Sequence, residues 1–169
     1  MKSIFARRSI RKYQDTPVEK EKLQMVLKAA MAAPSAGNGQ PWHFVVIDDR
    51  TTLNRITEFH QYSQMLKEAP VAVVVCGDTG DERYRGFWVQ DCAAATQNIL
   101  LEAHDQGLGT VWLGVYPNES HIKNVKDLLD LPETVYPLSI IAVGYPNEQK
   151  EPADRYTDEK VHWNRWQKK

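Results

Sequence analysis

The segment that most restricts the fold is residues 86–106, where Trp88, Cys92, Ala95 and Ile99 recur at helical spacing and Ala93, Ala94 and Ala95 permit close approach by another element. This helix is apolar on more than one side. It therefore needs cover all round, in the centre of a domain or at a subunit interface. Gly107 and Gly109 suit its C-cap region. Short β-branched or aromatic runs flank it: Trp42–Ile47 and 71–76 before, and 139–143 after, which ends at Gly144-Tyr145-Pro146. Residues 110–115 form a fourth strand or, because of Gly109 and Gly114, an irregular strand that touches a ligand. Gly77-Asp78-Thr79-Gly80-Asp81 reads as a surface turn.

Two amphipathic helices complete the pattern. Thr16-Pro17-Val18-Glu19 combines an N-cap Thr, a Pro at the first helical position and a Glu placed to close a capping box. Leu23, Val26, Leu27, Ala30 and Met31 then form a stripe that stops before Pro34. Residues 118–130 carry Ile122, Val125, Leu128 and Leu129 on one face. Helices and strands interleave without the regular alternation of a doubly wound sheet, which makes an α+β sandwich of sheet and helices the expected class. With 169 residues, and ~100–200 per domain, a single domain over residues 1–169 follows.

Apolar residues at 42% and charged residues at 25% place the chain among globular proteins rather than disordered or fibrous ones. Lys plus Arg number 21 against 22 Asp plus Glu, a net charge of −1, so no global field favours nucleic acid or anionic membranes. Any anion site must be local. Cys76 and Cys92 match neither a disulfide scaffold nor a zinc site, which points to a reducing compartment. The start has no apolar run of signal-peptide length, and the apolar stretch at 71–76 is far short of the ~18 residues of a spanning helix. The expected location is cytoplasmic. The tail, residues 148–169, is polar yet carries Tyr156, Trp163 and Trp166. Indoles are seldom left in solvent, so it folds back on its own domain or crosses to a partner chain, which would make a dimer.

Most catalytic signatures fail on spacing. There is no Gly-x-Ser-x-Gly, no Gly-x-x-x-x-Gly-Lys and no His-Glu-x-x-His. Gly107-Leu108-Gly109 follows a helix where a dinucleotide fingerprint must follow a strand. His43, His60, His104, His121 and His162 are dispersed, as surface or capping residues would be. Asp91 and Glu102 share a helix side but stand about three turns apart, too far for an acid–base pair.

Two stretches remain. Lys2, Arg7, Arg8, Arg11 and Lys12 precede any acidic residue. Such a run is ordinarily a solvated face, but Ser9 and Ile10 interleave hydroxyl and backbone donors with guanidinium forks, a mixture suited to a phosphate or an electron-rich carbonyl edge. Residues 33–42 contain Pro34, Ser35, Ala36, Gly37, Asn38, Gly39 and Gln40. They read equally as a helix-to-strand loop and as a backbone surface against which a ligand ring could lie.

Taken in order, four blocks resemble the nitroreductase family of FMN-dependent oxidoreductases: Arg7-Arg8-Ser9-Ile10-Arg11-Lys12-Tyr13; Pro34-Ser35-Ala36-Gly37-Asn38-Gly39-Gln40-Pro41-Trp42; residues 91–101 with 107–114; and Gly144-Tyr145-Pro146 with Arg155. Together they cover nearly the whole chain. The resemblance implies a homodimeric α+β sandwich of a mixed, mainly antiparallel sheet, with the long helix at the dimer interface and two FMN sites built from both chains. Arg7, Arg8, Ser9 and Arg11 would hold the phosphate, ribityl chain and pyrimidine edge. Ser35, Ala36 and Asn38 would come from the partner subunit, and Pro34 would also be cofactor-binding. Leu113 and Gly114 would present backbone near the reactive ring nitrogen, and Arg155 would bind the phosphate.

The implied activity is FMN-dependent NAD(P)H oxidation, with nitroaromatics, quinones or similar flat acceptors reduced by a ping-pong mechanism. It needs no catalytic side chain and no metal, because stacking in a flat-walled pocket supplies the positioning. A guanidinium such as Arg11 would stabilise negative charge at the reduced pyrimidine edge. The short 77–85 connection leaves little room for a lid, which points away from the specialised dehalogenating and flavin-fragmenting relatives. A flavin-binding sensor, store or interaction protein without significant turnover would show the same residues.

Overall fold

Two long apolar runs form the middle of the sheet. β2 (Val71–Asp78) and β4 (Val135–Gly144) are buried almost from end to end, so both faces of each strand need cover and neither alternates with polar residues. The computed structural model describes residues 2–80 and 82–167; Met1, Asp81, Lys168 and Lys169 lie outside the described residues, as does the Lys2 side chain. The sheet runs β1-β2-β4-β3, with β1 (Trp42–Ile47) and β3 (Gly109–Gly114) at its edges. Every pairing is antiparallel. The mixed character expected of the sheet reduces, among the described residues, to one isolated parallel bridge between Ser9 and Thr110.

Alternation along β2 assigns its side chains to two cores. Val71, Val73 and Val75 pack with Val26 and Ala30 of α2 (Lys20–Met31) and with Cys92, Ala95 and Ile99 of α4 (Trp88–Asp105). Ala72, Val74 and Cys76 pack with Leu53 and Ile56 of α3 (Arg50–Phe59) and Val125 of α5 (Glu119–Leu129). A one-residue slip would exchange the two sets, so the register is fixed by packing on both sides. Before α2 the chain makes only a single turn, α1 (Lys2–Ala6). The architecture is an α+β sandwich in which α4 packs on the sheet and against α2, with Gln90 and Gln97 on its open side.

Two local readings need correction. The capping box at Thr16 does not form: residues 16–19 stay outside the helix, which starts at Lys20 behind an extended Glu19 with no side-chain cap. Pro17 disfavours helical backbone at Thr16, and the Glu19 carboxylate instead takes the Tyr145 hydroxyl at 2.7 Å. Gly77 and Asp78 belong to β2 rather than to a surface turn, because β1 and β4 pair with them as Trp42↔Gly77 and Val135↔Asp78. Gly77 is also closed against α4: a Cβ there would meet Trp88 at 2.5 Å.

Candidate active site

The cationic block is part of the fold. Ile10 N–H donates to the Thr110 carbonyl at 2.9 Å, and Ile10 lies so close to Gly109 that a Cβ at 109 would come within 2.9 Å of it. Residues 7–11 are thereby held along edge strand β3, where strand pairing would otherwise be open. Its two ends face different cavities.

At one end Arg7, Arg8 and Arg155 line a cavity of about 400 Å³ with Phe5, Pro152 and Tyr156. No carboxylate pairs with any of the three guanidiniums among the described residues. Burial, then the nearby charges of Arg8 and Arg155, lowers the Arg7 pKa from its ordinary value. Three like charges without a counter-charge are the electrostatic form of an anion site. Arg8 is the least free: it donates to the carbonyls of Phe5 at 2.6 Å, Arg7 at 2.5 Å and Glu151 at 2.8 Å.

At the other end Arg11 lines an open cavity of about 670 Å³ together with Leu113, Gly114, Trp112 and Tyr116. Gly114 carries no close neighbour: a Cβ built there meets nothing within 4 Å, and its φ is not positive. Neither packing nor backbone conformation within this chain requires glycine at 114. A flat group approaching the backbone would.

Pro34, Ser35, Ala36 and Asn38 lie together in the loop between α2 and β1. Gly37, Asn38 and Gln40 all have left-handed backbone (φ 53°, 57° and 51°), a strained loop pinned from outside. Buried Asp91 on α4 accepts the Ala36 N–H at 3.0 Å, Arg83 donates to the Gly37 carbonyl at 2.5 Å, and Ser35 Oγ accepts the Gln40 N–H at 3.0 Å. Asp91 therefore anchors this loop. None of these hydrogen bonds, and neither cavity, joins the loop to Arg7, Arg11 or Gly114.

Spacing missed two features. His60 is a capping residue, at the C-cap of α3 with its N–H on the Ile56 carbonyl, but it is buried rather than on the surface and stacks on His121 beside Gly114. The pair is remote in sequence and has no motif, so nothing short-range could signal it. The start of the tail docks on the cationic block: Arg11 N–H donates to Glu148 Oε1 at 2.5 Å, and Lys150 donates to the Ser9 carbonyl at 2.7 Å. Trp163 and Trp166 stay exposed, at 75% and 79%, so only the proximal tail folds back on its own domain. Cys76 and Cys92 are free thiols pushed up to about 12 by burial.

The Arg11 amide, and secondarily Lys150, hold the Glu148 carboxyl below the usual carboxylate range. A depressed native pKa contributes stability above the unfolded value, lost as pH falls through the native one. In an acid titration followed by NMR, the Arg11 amide resonance should move with a midpoint below the ordinary glutamate value of about 4.3. A midpoint at or above that value would contradict the contact.

The model of the nitroreductase family matches residues 4–61 and 57–145 of this chain. A relative from Methanothermobacter thermautotrophicus is 48% identical over 98% of this chain and 87% of its own length. Another from Archaeoglobus fulgidus is 46% identical over 98% of both. Both carry the provisional name NADH dehydrogenase/NAD(P)H nitroreductase. A crystal structure so named from Parabacteroides distasonis superimposes with a TM-score of 0.94 at 44% identity, covering 98% of this chain and 97% of that one. A provisionally named nitroreductase from Desulfovibrio desulfuricans, solved in complex with FMN, gives 0.84 at 30% identity over 98% and 96%. With the family's motif blocks falling on one guanidinium cluster, one open glycine wall and one strained loop, the chain belongs to the nitroreductase family.

Proposed function

We propose that this protein is an FMN-dependent NAD(P)H oxidoreductase acting on nitroaromatics, quinones or similar flat electron-poor acceptors, with each site completed by a second copy of the chain. The observation that carries the reading is the pairing of an uncompensated Arg7–Arg8–Arg155 cluster with the open Gly114 wall. Residues 7–11 connect them over at most about 14 Å of chain. The donor set fits the cofactor: guanidiniums suit a phosphate, and a wall without side chains suits a flat ring. FMN, when bound, supplies the redox chemistry, accepting two electrons from NAD(P)H and passing them to the acceptor.

The chain's own part is to bind and orient. Arg7 and Arg155 hold the phosphate, Ser9 and its neighbours the ribityl chain, and Arg11 the pyrimidine edge. Leu113 and Gly114 present backbone at the reactive ring edge. Pro34, Ser35, Ala36 and Asn38 close the opposite side from the partner. The exposed distal tail, with Trp163 and Trp166, crosses to that partner. No helix among the described residues is long and apolar enough to cross a membrane.

A visible spectrum of the purified protein, with any released chromophore identified, should show one FMN per chain. NAD(P)H oxidation with a quinone or nitroaromatic then separates an enzyme from a flavin store, which would bind without turning over. Because nicotinamide and acceptor occupy the same cavity in turn, initial-rate plots at several acceptor concentrations should be parallel. Intersecting lines would refute the shared face. Arg11→Ala should weaken FMN retention and lower the flavin midpoint potential, since it removes the cation facing the large cavity. An unchanged potential would refute the charge argument.

A further inference from the structure

Beside the large cavity two imidazoles stack, their ring centroids 4.4 Å apart and their planes at 24°. His60 comes from the C-terminal end of α3 and His121 from the first turn of α5, two helices packed on the same core. His60 is 1% exposed, and its Nε2 lies 2.9 Å from the Gly114 carbonyl oxygen. A carbonyl can only accept, so Nε2 carries the proton and, in the neutral ring, Nδ1 is a bare lone pair. The Nδ1 atoms of both histidines are buried without a hydrogen-bond partner. Buried polar atoms left unsatisfied cost free energy, so the arrangement calls for a compensating role.

A metal is a poor candidate for that role. Lone pairs lie in the ring planes, and two nearly parallel rings aim them side by side rather than at one point. No group of three potential ligands exists among the described residues. A general acid is equally poor, because the protonated nitrogen of His60 is already committed to Gly114. What the pair does hold is one peptide. The Gly114 carbonyl is fixed by His60, and the N–H of the same peptide, on Val115, donates to the Leu138 carbonyl at 3.0 Å.

We propose that His60 and His121 are positioning residues, a neutral clamp that fixes the Gly114–Val115 peptide and so sets the backbone presented to the ring edge of the bound flavin. The proposal rests on the reading of the large cavity as the FMN site. Glycine at 114 leaves that wall open, but at the last position of edge strand β3 it is also the residue with the fewest steric limits on its backbone. The clamp removes this freedom without a side chain in the cavity. Imidazole is suited to it because it donates while uncharged, leaving Arg11 as the cation that lines this cavity. His121 stacks against the His60 ring and is anchored by its own N–H on Asn118 Oδ1 at 3.0 Å. Burial, and then the neighbouring His60, lower the His121 pKa, against the pull of the Gly114 carbonyl, which favours the uncharged ring at 121.

Two measurements test the clamp. Ring-nitrogen NMR of the flavin-free wild type at neutral pH should show His60 protonated on Nε2 alone; a proton on Nδ1 overturns the proposal. His60→Leu and His60→Gln are then compared at saturating FMN and NADH. Loss of the donor should slow flavin reduction about tenfold in the Leu variant, whereas the Gln amide, which still donates, should restore most of the rate. A folded Leu variant that reduces flavin at the wild-type rate overturns the proposal, as does a Gln variant no better than Leu. If His60→Leu prevents folding, His121→Phe keeps the stacked face without ring nitrogens, and the Gln variant must then still reduce flavin within about threefold of wild type. Should the wild type bind no FMN, the functional reading fails by itself. The His60 tautomer and the exchange of the Val115 amide, expected to quicken about tenfold in the Leu variant, still decide the clamp.

Discussion

Arg7→Ala should weaken FMN binding by about 10- to 100-fold and leave riboflavin binding unchanged. The range follows from a charge-assisted hydrogen bond of ~1.5–3 kcal/mol, at about 1.4 kcal/mol per factor of ten. Arg7 is half-buried beside Arg8 and Arg155, where a phosphate is less screened than in open solvent. Riboflavin has the same ring and ribityl chain but no phosphate, so a loss confined to FMN locates the arginine at the phosphate. Arg155→Ala should act in the same direction with a smaller effect and a steeper salt dependence, because Arg155 is exposed. Arg8→Ala should differ in kind. Its fork holds three carbonyls, so the variant should lose stability and weaken riboflavin as well. Fluorescence titrations of both flavins against each variant, with melting temperatures alongside, check all three. Equal losses for FMN and riboflavin in Arg7→Ala would remove this cluster from the phosphate.

Much of this fold is legible in the sequence because its central elements are buried on two sides. Trp42–Ile47 is read to both boundaries, and the run at 71–76 marks a strand that extends only two residues further. Helix α3 escapes notice because Leu53, Ile56 and Phe59 are its only apolar contacts among Arg50, Thr51, Thr52 and Asn54, and the two threonines are poor helix formers. Its start is set by Asp49, which accepts the Thr52 N–H at 2.7 Å. That cap resembles the one expected at Thr16, where a proline prevents it. The site divides along similar lines. Local chemistry marks residues 7–11 and 34–40 as unusual, and family resemblance assigns them a cofactor. The separation of these two segments, the Glu148 and Lys150 contacts and the His60–His121 stack come from tertiary structure, which no spacing within a single segment encodes.

Gly114, at the end of edge strand β3, and Gly144, at the end of central strand β4, should respond to alanine in opposite ways. At 144 an added Cβ would stand 2.6 Å from Pro70 Cδ and 2.9 Å from Tyr13 Cδ1, both in packed surroundings. Tyr13 is fixed by its hydroxyl on the Ile10 carbonyl at 2.8 Å, so it cannot swing aside. Gly144→Ala should therefore cost ~1–3 kcal/mol of stability, with FMN affinity of the folded fraction little changed. At 114 the same methyl enters open space on a strand whose backbone alanine tolerates. Fewer unfolded conformations should then raise stability by ~0.4–1 kcal/mol. The methyl would nevertheless occupy the wall proposed to carry the flavin ring. Gly114→Ala should reduce FMN affinity at least ~tenfold, and a bulkier Gly114→Val should abolish it while folding as well as the wild type. Denaturant melts and flavin titrations of the three variants provide the comparison. If Gly114→Val binds FMN like the wild type, the ring does not lie on this wall and the open glycine has another cause; if it folds better and binds nothing, the chain has kept a less stable residue there for its ligand.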